Sequence, residues 1–530
     1  MKKSYLFFLT LVMGILFLAI ACDDDSTTTT TITTDPVKPI QKGSINTLPM
    51  LTVMPADCND GTFVPVGMPD RLANNDPYPT DSTTIVGWTN RSATEGDQGL
   101  ETNTDIIDHA WALWQSLTEV TDQSLCDRPL RRFETWYTPQ DVMIATDAGT
   151  PLPTQLNSTG AIHTRVKLES FEEFHGANLR PQVGSVVGKV KYNPVLARAA
   201  RNNEYFNQNS MKERLRPGEI TTLVLPAASV MLKPVYRILS DLLEVQEDVY
   251  EIHIWGGKQD GGIPDSLFSK KIYVDISREQ NYQLDGVDVY AVRHFIHHTL
   301  SAVEAHEYNQ NSHEGPERTY NPAKAGDVML LMGMHVATRE TPRWTWQSFY
   351  WTPTPDAPIF PSSPRMARGR AAMNGQLTAP ADHYALTVGY SMVAPAGPEK
   401  LLSDPDFTLA GRSSVYALNP YIEGTFSAEV FPNQQQFYDS TYNYEPYAGI
   451  DLKTFYMPQN INGITSSCIG CHSQATYLGR DKEGVGAANF IADQYVPRDA
   501  PWFVGQLQTD FAWSLSGSYE RVPKVVANDD

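Results

Sequence analysis

The chain has 530 residues, 41% hydrophobic, 10% aromatic and 19% charged, enough to bury a large core across two or three domains. With 41 basic against 61 acidic residues the formal charge is −20, which excludes the basic face that phosphate neutralisation demands of a nucleic-acid-binding protein. Proline, at 37 residues, exceeds its ordinary share of about 5% and favours strands and structured loops over long helices.

At the N-terminus Lys2 and Lys3 precede an apolar run from Leu6 to Ala21, and small residues lead into Cys22. This is the pattern of a cleaved secretory signal over 1–21. The run is slightly short for a transmembrane helix, and Asp23, Asp24 and Asp25 follow at once. Ala19-Ile20-Ala21-Cys22 resembles a bacterial lipobox, with Ala where Leu is more usual. The resemblance implies cleavage before Cys22 and a diacylglycerol on its sulfur; an ordinary secreted protein with an incidental Cys22 is the other reading. The expected location is the bacterial cell envelope, lipid-anchored on the periplasmic face or cell surface. Loss of the two leader lysines leaves 39 basic against 61 acidic residues, a net −22, which is compatible with basic partners and also with simple solubility. Residues 22–48, with the stretch DDDSTTTTTITT, read as a Thr-rich flexible linker.

From residue 49 the composition is globular, with a helical and mixed region over 49–216. The 3–4 spacing of Ile107, Ala110, Trp111, Trp114 and Leu117 predicts an amphipathic helix over 104–121, capped by Asn103 or Thr104. His109 lies off that stripe and is expected at the solvated surface. Cys58 and Cys126 are expected to pair in an oxidising compartment, a loop closure worth roughly 4 kcal/mol in the chain-entropy model. A second helical stretch is expected over 193–215, stopping near Pro217-Gly218. Strand-like runs, punctuated by Gly, Pro, Asn and Asp, follow at 161–168, 220–236, 248–256, 271–275, 287–296, 327–338 and 384–393. They recur without intervening helices, so 217–435 is expected to be a β-rich body. The fold class predicted is α+β: a sandwich-like β-rich body, peripheral helices, and a loop-and-helix segment over 436–530. The histidines of 293–314 read as a half-buried strand running into a polar loop rather than a metal site, since no H-E-x-x-H occurs. No G-x-S-x-G, phosphate-binding loop or dinucleotide fingerprint is present either.

The C-terminal segment holds SSCIGCHSQAT, and within it Cys468-Ile469-Gly470-Cys471-His472. C-x-x-C-H is the attachment signature of c-type haem. Two thiols at this spacing each form a thioether to one vinyl group, and the next residue supplies the proximal imidazole. One covalent haem c is therefore expected, tethered by Cys468 and Cys471 and ligated by His472. A zinc site would need further paired ligands, which Cys58 and Cys126 do not offer. A dithiol redox motif would sit in a βαβ setting, and none is evident. Downstream of His472 there is no Met, His or Cys. The sixth iron position is thus either open or filled from upstream, with Met457 or His335 (beside Met334) as candidate distal ligands.

The motif resembles that of c-type cytochromes. More of the chain is similar to large exported bacterial proteins of the cytochrome c family, through HAWALW (109–114), RRFETWYTP (131–139), VKYNPVLARAARNNEYF (190–206), LPAASVMLKPVYRIL (225–239), GMHVATRETPRWTWQSFYW (333–351), LNPYIEGTF (418–426) and SSCIGCHSQA (466–475). The resemblance implies haem attachment at Cys468 and Cys471 with His472 ligation, and implies no particular reaction. A haem carrier needs on the order of 100 residues, yet more than 400 precede the motif. The expected function is that of a lipid-anchored monohaem cytochrome in redox and electron-transfer chemistry, its β-rich body forming a pocket or docking face. Its partner is a redox protein or small-molecule substrate, its membrane contact the N-terminal lipid. Two alternatives stay open: a peroxidase-like haem oxidoreductase with an open sixth position, and a surface binding or assembly protein whose haem is structural. The dihaem peroxidase pattern, which needs two C-x-x-C-H motifs, is disfavoured because there is one.

Overall fold

Two main sheets, and the helices packed on them, follow from how apolar side chains are spaced along the chain. The computed structural model describes residues 61–94, 104–125, 128–157, 187–188, 190–256, 270–300, 302, 305, 323–359, 361–373, 375–390, 419–422, 468–477, 498–500 and 503–515. Cys22, Cys58, Cys126, Met457 and the expected 161–168 strand lie outside the described residues. Ile45–Asp530 makes one compact unit, and the fold is α+β and β-rich. Among the described residues no helix is long and apolar enough to cross a membrane.

The larger sheet has seven strands. Its main path runs Tyr384–Gly389, Thr345–Trp351, Val328–Thr338, Val230–Ile238, Val187–Gly188. His297–Thr299 also pairs with the 328–338 strand, and Lys191–Tyr192 with the 230–238 strand. All these pairings are antiparallel. The 328–338 strand, VMLLMGMHVAT, is buried at every position but one, which is why it reads as a nearly continuous apolar run. Its neighbour TWQSFYW is buried at all seven positions. That second strand was not among the expected ones, because burial on both faces removes the apolar–polar alternation that marks a half-buried strand.

Alternation assigns the two faces of this sheet. Met334 opposes Phe349 on the face covered by the Asp105–Thr118 helix. There Trp114 stacks on Phe349 with ring centroids 4.3 Å apart, and Trp111 meets the same ring edge-on at 5.6 Å. The other face carries the register pairs Gly333–Tyr350, His335–Ser348 and Ala337–Trp346. Over Gly333 lies Asn419, whose side chain donates to Phe349 O at 2.9 Å; a Cβ at 333 would fall 2.4 Å from its Nδ2.

The 105–118 helix forms as expected, but it is buried on more than one side, and His109 is buried completely rather than solvated. The reason is a second layer. Trp88 of the Ser82–Thr94 helix lies 5.5 Å from the His109 ring, and the Pro364–Ala372 helix crosses at Gly369, where a Cβ would fall 2.4 Å from Ile107 and 2.8 Å from Trp111. Gly369→Ala thus sets about 1 kcal/mol of helix propensity gained against overpacking that costs about 1–3 kcal/mol. With contacts this short the clash wins, and urea denaturation should show net destabilisation; a more stable variant would mean that the two helices part freely.

The stretch 193–215 is divided. Pro194–Asn202 and Gln208–Arg214 are separate helices, each with an asparagine cap: Asn193 accepts from Leu196 N, and Asn207 from Asn209 N and Ser210 N. Glu204 between them has φ 53°, a left-handed conformation that ends the first helix. Likewise the run 220–236 separates into Thr221–Thr222 and Val230–Ile238, and 287–296 stays strand only to Ala291 before a 3-10 turn over 292–294.

The second sheet has five strands, ordered Tyr282–Leu284, Val287–Ala291, Lys270–Asp275, Val249–Ile254, Glu244–Gln246. Ile252, Ile254, Ile272 and Val274 join the main core. Val249, Tyr273 and Val289 form a small cluster on the opposite face. A three-stranded sheet joins Thr476–Tyr477, Leu507–Gln508 and Thr221–Thr222, tying the C-terminal segment to the body.

Candidate functional site

Cys468–His472 forms a five-residue helix. Separations of three and four residues put Cys468, Cys471 and His472 on one helix face. Cys468 is buried and Cys471 half-buried, both as thiols rather than a disulfide. The helix is closed by Ser473 Oγ and Gln474 Nε2, each donating to Gly470 O at 2.9 Å.

Immediately beyond, the chain pairs through Thr476–Tyr477 with Leu507–Gln508, and Thr509 N donates to Ala475 O at 2.9 Å. This pairing carries the 509–512 turn back beside the histidine, so that His472 Nδ1 lies 2.8 Å from Phe511 O. A carbonyl only accepts, so Nδ1 bears the proton, and in the neutral ring Nε2 carries the lone pair. The imidazole rests against Trp346 at 4.4 Å between centroids, tilted by 45°. Phe511 lies 6.4 Å from the same indole.

These donors fit a c-type haem. An imidazole whose Nδ1–H is held by a backbone carbonyl is oriented and made more basic for metal ligation through Nε2, and the thiols flank it at the spacing thioether attachment needs. Among the described residues no group of three or more His, Cys, Asp or Glu side chains converges on a common point.

Of the upstream candidates, Met334 is in the core on the face covered by the 105–118 helix. His335 projects from the opposite face, which it shares with Trp346 and so with His472. It stands two residues, about 6.7 Å, along the strand from the Ala337–Trp346 pair.

Two buried polar clusters bring together residues far apart in the sequence, the second including His294 from the 293–314 stretch. In the first, His109 Nδ1 is 2.5 Å from the Tyr390 hydroxyl, and its Nε2 is 3.4 Å from Glu340 Oε1. Glu340 also accepts from Thr80 N at 2.7 Å and from the Thr338 hydroxyl, and Gln347 Nε2 donates to Tyr390 at 2.9 Å. Burial opposes ionisation of Glu340, yet His109 and the hydrogen bonds from Thr338 and Thr80 together hold its carboxyl below the ordinary range. Thr338, Gln347 and Tyr390 place this network on the sheet face opposite His472.

In the second cluster His294 Nδ1 lies 2.8 Å from His383 Nε2, one nitrogen donating and the other accepting. Burial, with Arg293 nearby, lowers the pKa of His294 to about 4; burial, with His294 and Arg370, lowers that of His383 to about 3. Burial also brings His297 to about 4, Arg131 adding to it. In the unfolded chain each would titrate near 6.5. Between pH 6.5 and about 4 the unfolded state therefore binds protons that the folded state refuses, and stability falls as pH falls, by up to about 1.4 kcal/mol per pH unit for each histidine. Urea midpoints should drop from pH 7 to pH 5, and the His294→Gln, His383→Gln double variant should flatten that drop. A slope unchanged in the variant would show that the pair does not titrate on unfolding.

Comparison with protein-family models, curated proteins and solved structures finds no match to this chain.

Proposed function

We propose that this chain is an exported, lipid-anchored monohaem c-type cytochrome acting in redox and electron-transfer chemistry. The observation that carries the reading is the hydrogen bond from His472 Nδ1 to Phe511 O, made by the histidine of the chain's C-x-x-C-H motif. It supports the reading because it holds the imidazole of the signature as an axial ligand would need to be held. Bound haem would supply one-electron exchange at iron. The chain's own residues would tether it through Cys468 and Cys471 and ligate it through His472, whose Nδ1 is held by Phe511 O and whose ring rests against Trp346. Cys22 would anchor the mature protein through its lipid. His335 shares a sheet face with Trp346, which supports it over Met334 as a candidate distal ligand.

An oxidised and reduced optical spectrum with a pyridine haemochrome assay, on protein matured with the haem-attachment machinery, tests this directly. One covalent haem c per chain is expected. Absence of covalent haem overturns the proposal. Cyanide binding to a high-spin iron would move the reading toward the peroxidase-like enzyme, and a low-spin spectrum insensitive to cyanide toward electron transfer.

A further inference from the structure

His472 is oriented by a carbonyl in an unusual stretch of backbone. Asp510 and Phe511 both have positive φ, 49° and 68°, a left-handed pair that non-glycine residues enter only where surrounding contacts impose it. The contacts that impose it are specific. Asp510 Oδ2 accepts from Leu225 N at 2.9 Å and from Arg339 Nε at 2.9 Å. Thr509 Oγ1 donates to Ala512 O at 2.9 Å. Arg339 is fixed in turn, its backbone N donating to Ser229 O at 2.9 Å and its Nη1 to Thr341 O at 3.1 Å. The carboxylate is buried and the guanidinium nearly so, so this pair is not the solvent-screened kind that contributes little.

Arg339 directly follows the 328–338 strand, in the connection to the 345–351 strand that carries Trp346. One β-hairpin thus sets both surroundings of the imidazole. Trp346 reaches its ring directly. Arg339 reaches its Nδ1–H through Asp510 and the Phe511 carbonyl.

We infer that Asp510 and Arg339 are positioning residues for the axial histidine, tuning iron through the His472–Phe511 hydrogen bond. The inference rests on the haem reading above. A shortened, aligned Nδ1–H···O=C bond gives the imidazole more anionic character and favours the ferric state. Releasing the turn should weaken that bond and raise the midpoint potential.

Two variants separate positioning from a simple electrostatic field. Asp510→Asn removes a negative charge and Arg339→Gln a positive one. By field alone the first raises the potential and the second lowers it. By positioning both raise it, because either substitution frees the same turn. The expected shift is about tenfold in the ferrous-to-ferric ratio, 59 mV for one electron, with Arg339→Lys restoring part of it. Spectroelectrochemical titration of the haem-loaded protein reads this out, and exchange of the His472 Nδ1 proton by NMR should quicken in both variants. Where Asp510→Asn fails to accumulate, Arg339→Gln alone still decides, since its sign differs between the two accounts. Opposite signs, or potentials and exchange both unchanged at full haem loading, overturn the inference and leave the cytochrome reading standing. A wild-type protein without covalent haem overturns that reading instead.

Discussion

Replacing Glu340 with alanine is expected to lower the unfolding free energy by about 3–5 kcal/mol, because several buried donors would lose the acceptor they share. The carboxylate and the His109 ring are both fully buried. Its loss would leave Thr80 N, the Thr338 hydroxyl and His109 Nε2 without the acceptor they face, and each orphaned donor costs about 1–3 kcal/mol. Glu340→Gln should cost less, since an amide oxygen still accepts while the charge is gone. A double-mutant cycle with His109→Ala isolates the pair, with an expected coupling of about 0.5–3 kcal/mol. Its pH dependence has a definite sign. A carboxyl held below its ordinary range contributes stability above the unfolded value near 4.3, and that contribution disappears as pH falls through the folded value. The gap between wild type and Glu340→Gln should therefore narrow below about pH 4.3. A constant gap, or a loss below about 1 kcal/mol for Glu340→Ala, would show that the network is relaxed or wet.

The same residues show what a sequence reveals and what it conceals. The 328–338, 249–254 and 270–275 strands are legible because short runs rich in β-branched, aromatic or other apolar residues lie between turn residues. The 345–351 strand is not, because Thr345, Gln347 and Ser348 are polar side chains buried in the sheet and break any apolar period. His109 misleads for a related reason: helical spacing reports the face that meets the sheet, whereas its burial comes from Trp88 and Tyr390, the latter 281 residues away. At the site, Cys468, Cys471 and His472 are local and hence legible. The Phe511 carbonyl is 39 residues from His472, and the Arg339–Asp510 bond spans 171. A backbone carbonyl carries no residue identity at all, so this half of the His472 environment has no sequence signature.

Cysteine replacement at the motif should have the largest functional effect and separates the chemistries a C-x-x-C pair can serve. If each sulfur carries one thioether, Cys468→Ala and Cys471→Ala should each keep haem covalently attached at reduced yield through the remaining bond, with a shifted haemochrome spectrum, because one vinyl group is then unsaturated again. The double variant should retain no haem through denaturing electrophoresis. A dithiol redox centre predicts otherwise: either single variant would abolish cycling outright, since thiol–disulfide exchange needs the second sulfur to resolve the first. A zinc site predicts graded loss of metal and no haem in any protein. His472→Met completes the set. It leaves both thioethers in place, so covalent haem should survive, while the ferric spectrum and potential change with the axial donor. Loss of attachment in that variant would mean that His472 is needed before the thioethers form. Because His472 also contacts Trp346 and Phe511 O, the melting of haem-free His472→Met measures how much of its role is packing. A haem-free chain as stable as wild type would assign the histidine to iron alone.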